Sequence, residues 1–164
     1  MKIFSKAHRH LSVLMTIFVS ISLMSFKGVG EKKKTNREVV VEWYKNVDAG
    51  NYQELRKLMD KKYSFTNSMS HIPADGNSHI AMLTMFSSAF SEMKHTFTHF
   101  VNDGEWIAVY GTVTGKHAGD FNGLLPTNRH ISNTWMHLFH IVDGKVVDAY
   151  FEMNPANIVS QVNE

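Results

Sequence analysis

Apolar positions from Thr35 onward recur at helical spacing, with Val39, Val40, Trp43, Tyr44 and Val47 forming one stripe. Asp48-Ala49-Gly50-Asn51 breaks that pattern, and Tyr52, Leu55, Leu58 and Met59 predict a second, shorter helix. Residues 63–66 read as a brief strand, and 67–77, with Pro73 and Asp75-Gly76, read as a loop. A third helix is expected over 79–92, with Ile80, Leu83, Met85, Phe86 and Phe90 on a broad face. The period then changes to two. Stretches 97–101, 106–116, 131–142 and 145–151 are rich in β-branched and aromatic residues and predict strands. Asn102-Asp103-Gly104 and Asp143-Gly144 are hairpin turn signals. Helices first and antiparallel strands afterwards is the α+β order, with helices on one face of a curved antiparallel sheet.

Composition keeps this picture and narrows it. The 164 residues are 43% hydrophobic and 20% charged, with no cysteine. That describes an ordinary globular domain and excludes a disulfide-stapled or disordered chain. The formal charge of +2 is unevenly placed. Four of the 17 basic residues (Lys2, Lys6, Arg9, Lys27) fall in the first thirty positions, which hold no acid, so 13 bases face 15 acids beyond them. The folded part is therefore mildly acidic and offers no charge-based case for a nucleic-acid partner.

The same first thirty residues read as an address. Lys2, Lys6, His8, Arg9 and His10 precede an uncharged apolar stretch, 11–26, and Gly28-Val29-Gly30 supplies small residues for cleavage. This is the order of a secretory signal, and the stretch is shorter than the roughly 20 residues that span a bilayer. We expect residues 1–30 to be removed on export to a periplasmic or secreted location, with no stable membrane insertion afterwards. Residues 31–164 are expected to form a single domain.

The strand half holds a motif. Gly115, His117, Gly119, Phe121, Gly123, Pro126, Thr127 and Arg129 resemble the glycine- and proline-punctuated signature of the SnoaL-like polyketide cyclases. The run 136–148 and the helix ending in Asp48-Ala49-Gly50-Asn51 are similar too. The resemblance spans about residues 36–162. It implies the α+β cone of the nuclear-transport-factor-2-like superfamily, enclosing one pocket. It also implies relatives that close a ring of a polyketide ester by an intramolecular aldol step without metal or cofactor. His137 falls where those cyclases keep a pocket histidine. Phe151 falls on the position of their catalytic Asp, and Asn154 on that of a second Asp.

Such chemistry needs a proton acceptor beside a carbonyl and donors for the enolate oxygen. A regular two-residue hairpin at Asp143-Gly144 would set His137 opposite Tyr150 and Trp135 opposite Glu152, all four on one face. On that register His137 and Glu152 are the candidate acid–base pair. Tyr150, His117, Asn154, Trp135 and Tyr44 are candidate contacts for a small hydrophobic ligand. A bulge in the strand would change which face Glu152 occupies. His117 could equally fix the glycine-rich bend, and Trp43 and Tyr44 could equally be core. No metal site is expected, since His137 and His140 point to opposite faces and His95 and His99 lie along a strand. Two readings remain open: a cofactor-independent cyclase or isomerase acting on a hydrophobic carbonyl compound, or a secreted pocket domain binding an apolar ligand without turnover. A homodimer is compatible with either.

Overall fold

The computed structural model describes residues 33–68 and 70–163, all within one compact unit, 33–164. The secretory-signal reading of residues 1–30 lies outside the described residues. None of the described helices is long and apolar enough to cross a membrane.

Helix α1, Asn36–Asp48, starts at a capping box: the Thr35 hydroxyl accepts from the Glu38 amide, and the Glu38 carboxylate accepts from the Thr35 amide at 2.7 Å. Its buried stripe is Val39, Val40, Trp43 and Tyr44, as the spacing predicts. After a turn through Gly50 at φ +63°, α2 (Tyr52–Leu58) buries Leu55 and Leu58. Strand β1, Met59–Asn67, follows directly.

The segment expected to be a loop instead contains a short strand, β2 (Ser70–Ala74), antiparallel to β1. Pro73 is tolerated there because β2 is an edge strand, where one missing N–H breaks no central ladder. Helix α3 runs Gly76–Ala89, earlier at both ends than expected, because the Asp75 carboxylate caps the Ser78 amide at 2.8 Å. Strand β3, Phe90–Asp103, then takes over residues that the apolar pattern had assigned to the helix. A final helix, α4 (Pro155–Asn163), went unnoticed in the sequence. Pro155 opens it, Asn154 accepts from the Ala156 amide at 3.1 Å, and Ile158 and Val162 are its buried stripe.

Strands β4 (Trp106–His117), β5 (His130–Val142) and β6 (Lys145–Met153) complete a six-stranded sheet in the order β2-β1-β6-β5-β4-β3. All pairings are antiparallel except β1 with β6, so the sheet is mixed where an antiparallel one was expected. Buried and exposed positions alternate along β4 and β5. Val109, Val113, Trp135, His137 and Phe139 face the helices. Tyr110, Met136 and Leu138 lie on the outer face.

One register detail governs the site. Val142 pairs with Lys145 across Asp143 and Gly144, both at positive φ, as the hairpin signal predicts. Ile141 then pairs with Val146, but His140 pairs with Asp148, so Val147 is an extra residue. Beyond this bulge His137 stands opposite Phe151, Trp135 opposite Met153, Met136 opposite Glu152 and Leu138 opposite Tyr150. The regular hairpin register is therefore corrected by one residue, and every side chain of β6 past Val147 changes face.

The bulge is held by ring and charge contacts. His140 lies flat on Trp106 at 4.4 Å, with Nδ1 3.0 Å from Asp148 and Nε2 3.4 Å from Glu105. Carboxylates facing both ring nitrogens favour the doubly protonated ring, and these hydrogen bonds, Asp148 first, raise its pKa above 6.5. A raised histidine pKa stabilises the fold fully below the unfolded value, and this stability is lost as pH rises through the folded one. We expect the urea-midpoint gap between the native chain and His140→Gln to be wider at pH 6 than at pH 8.5. An equal gap at both values would remove this ion pair from the stability of the bulge.

Candidate functional site

Between the inner sheet face and helices α1, α3 and α4 lies a cavity of about 440 Å³. Its wall is mostly apolar, with Phe65, Met82, Phe86, Phe90, Phe151 and Ile158 among the lining residues. The polar lining residues are Asp48, Asn67, His79, His95 and His137, with Tyr44, Tyr52, Ser87, Ser91, Glu92 and Asn122. No Lys or Arg lines it among the described residues, so nothing there would recognise an anion by a full positive charge. Size and polarity suit a small uncharged organic molecule.

His137 projects into this space from β5. It is 2% exposed; its Nδ1 lies 2.8 Å from the Tyr44 hydroxyl, and its Nε2 is buried without a hydrogen-bond partner. Burial, helped by the nearby His79 and His95, holds its pKa well below 6.5, so the ring is neutral. A phenol is a stronger acid than a neutral imidazole, so the Tyr44 O–H donates and Nδ1 accepts. Nε2 therefore carries the remaining hydrogen and offers a donor to the cavity. An unmet buried donor is costly unless a ligand satisfies it.

Two further groups were missed in the sequence. His79, on α3, is 3% exposed, lies flat on Phe65 at 3.7 Å and is 2.7 Å from the Tyr63 hydroxyl. Burial pushes its pKa down to about 3. The signal available was its place beside Ile80 at the start of the apolar stripe of α3. The second is a pair. The Asp48 carboxylate, in the last turn of α1, meets His95 of β3 twice: Oδ1 to the ring Nδ1 at 2.5 Å, and Oδ2 to the backbone N–H at 3.0 Å. These residues are 47 positions apart, and no spacing in the sequence joins them. Asp48 read as a helix terminator and His95 only as a failed metal ligand.

The candidates named from sequence separate into two groups. Tyr44 and His137 come together in the cavity, and Trp135 sits behind Tyr44, ring centroids 4.5 Å apart. Glu152 and Tyr150 do not join them. The Val147 bulge turns both to the outer face, where Glu152 borders a shallow groove with Tyr110 and Met136, and Tyr150 lies near Trp106. The His137–Glu152 pairing is thus corrected: the residue beside His137 is Phe151, ring centroids 5.3 Å apart. Asn154 caps α4 and is also outside the cavity lining. His117 is fully buried but absent from the lining. Its Nδ1 takes the Thr127 hydroxyl at 3.1 Å, and its ring packs on Phe90, which fixes the bend.

With the geometry in view, the comparisons decide the family. A model of the SnoaL-like polyketide cyclases matches residues 38–162. The chain belongs to this family. Among its curated relatives, aklanonic acid methyl ester cyclase DnrD of Streptomyces peucetius is 27% identical over 104 residues, 62% of this chain and 72% of that enzyme. Nogalonic acid methyl ester cyclase of Streptomyces nogalater is 42% identical over 45 residues, only 34% of its length. Among solved structures, IdmH of Streptomyces antibioticus superposes with a TM-score of 0.74 at 18% identity, covering 80% of this chain and 100% of that one. A SnoaL-like polyketide cyclase of Agrobacterium tumefaciens gives 0.66 at 12% identity, covering 79% and 98%. At such identities the solved structures share the fold with this SnoaL-like chain, and its chemistry has to be argued from its own side chains.

Proposed function

We propose that this SnoaL-like protein carries out cofactor-independent acid–base chemistry, an intramolecular aldol closure or an isomerisation, on a small uncharged carbonyl compound held in the cavity. The observation that carries the reading is the unpartnered Nε2 of His137, neutral and buried in an apolar chamber. A fixed N–H in a dry site stabilises negative charge developing on a carbonyl oxygen, at the moment when the α-carbon loses its proton. A neutral imidazole does this without first being discharged. The named activities of the ester cyclases DnrD and its nogalonic counterpart support this substrate chemistry.

Phe151 beside His137 favours a second reading, binding without turnover, because the wall next to the donor has no carboxylate. Both readings require the Nε2–H to meet a carbonyl. We therefore expect His137→Phe to weaken binding of 2-tetralone about tenfold, the usual size for one buried hydrogen bond. Binding of tetralin, which has the same ring frame and no oxygen, should change far less. Titration calorimetry on one folded variant with both probes cancels any general effect on the cavity. Equal losses for both would mean that the imidazole is only wall.

A further inference from the structure

We propose that His95, oriented by Asp48, is the proton acceptor of this cavity, working opposite the Nε2–H of His137; the inference rests on the acid–base reading above. Both groups line the chamber. The Asp48 carboxylate is committed on both oxygens, to the ring Nδ1 at 2.5 Å and to the backbone N–H of the same residue at 3.0 Å. An amide N–H can only donate, and an ionised carboxylate can only accept, so the ring hydrogen sits on Nδ1. In the neutral ring this leaves the lone pair on Nε2, to which no described residue hydrogen-bonds. The His95 side chain is 9% exposed, which keeps most water away from it.

The two imidazoles are opposite in tautomer and linked through one side chain. The Tyr44 ring lies 4.5 Å from that of His95, while its hydroxyl holds Nδ1 of His137. His137 thus presents N–H, and His95 presents a lone pair, into the same apolar space. This is the combination that proton transfer from carbon requires. It also explains how an acid–base site can persist with Phe151 on the strand next to His137: the carboxylate is on α1, acting through an imidazole on β3.

The step balances within the substrate. His95 Nε2 takes a proton from the carbon next to the carbonyl, and the C–H electron pair becomes the enolate C=C bond. The carbonyl π pair moves to oxygen, which accepts the His137 hydrogen bond. For closure, that carbon then attacks a second carbonyl in the same molecule, and the His95 proton passes to the new alkoxide. For isomerisation, the proton returns to a different carbon. No oxidant, reductant or metal takes part in either route.

The test uses 2-tetralone in D2O, following loss of its α-proton signals by NMR, with probe affinity measured in parallel. The native chain should accelerate exchange over buffer. His95→Ala should lose that acceleration about a hundredfold or more, the usual size of a general-base effect, with affinity little changed. Free imidazole in solution should restore exchange to His95→Ala, a rescue that a purely structural histidine would not show. Asp48→Asn, which keeps the side-chain shape if the alanine variant folds poorly, should slow exchange tenfold or more at unchanged affinity, because the carboxamide no longer fixes the tautomer. Exchange by the native chain that persists in His95→Ala would overturn the assignment of His95 and leave the cavity's acid–base role standing. Binding of 2-tetralone by the native chain with no exchange at all would overturn both.

Discussion

Acidification from pH 6.5 to pH 4 is expected to cost the fold about 3 kcal/mol through His79 alone, at about 1.4 kcal/mol per pH unit. The native ring resists protonation down to about pH 3 because it is buried against Phe65. In the unfolded chain it protonates near the usual 6.5. Between those values the unfolded state binds the extra proton, so stability falls as pH falls through that window. His137, also depressed by burial, pushes in the same direction. Set against a typical domain stability of about 5–15 kcal/mol, the loss is large. Urea unfolding at pH 7, 5.5 and 4.5 should show the midpoint falling steeply. His79→Phe should show a shallower fall from a lower starting point, since it loses the Tyr63 hydrogen bond but keeps the ring contact. Parallel slopes for the two proteins would show that His79 is not the source.

Trp135→Ala should destabilise the fold by about 3–5 kcal/mol, the range for emptying a large core position. The indole is 1% exposed and supports both Tyr44 and His95. It is seated over Gly111, where a Cβ would lie 3.0 Å from the indole and 2.2 Å from the Thr96 carbonyl oxygen. The space is shaped for a side chain of that size opposite a residue with none. Its loss also removes the backing of Tyr44, so affinity for 2-tetralone should fall although Trp135 itself does not line the cavity. Thermal unfolding and calorimetry on Trp135→Ala and the milder Trp135→Phe would measure both effects. A cost below about 1 kcal/mol for the alanine variant, well under that core range, would mean that the chamber wall collapses to fill the gap.

How far the sequence reveals this molecule depends on how local each signal is. Helix α1 was legible because its apolar stripe lies within one short segment, and β4 and β5 because strict alternation writes itself into the residue order. Strand β2 was hidden by Pro73, whose tolerance depends on a neighbour being absent on one side. Tyr44 and His137 were each named as candidates, but their hydrogen bond across 93 positions is a product of the fold. The misplacement of Glu152 and Tyr150 has a single cause. The turn at Asp143-Gly144 reads correctly, yet Val146-Val147-Asp148 looks like any other stretch of strand. Its extra residue is stabilised by Trp106, Glu105 and His140 from elsewhere in the sheet. The Asp48–His95 pair left no trace for the same reason.

The surplus residue at Val147 is what sets Phe151, and neither Tyr150 nor Glu152, beside His137 in this chamber. Deleting Val147 would leave those pairings in place, since Asp148 already stands opposite His140, whereas flattening the bulge with every residue kept would slide β6 by one position and bring Tyr150 opposite His137 and Glu152 opposite Trp135. Two quite different inventories of chemical groups are thus separated by a one-residue slip, with no substitution at any of the residues that would trade places.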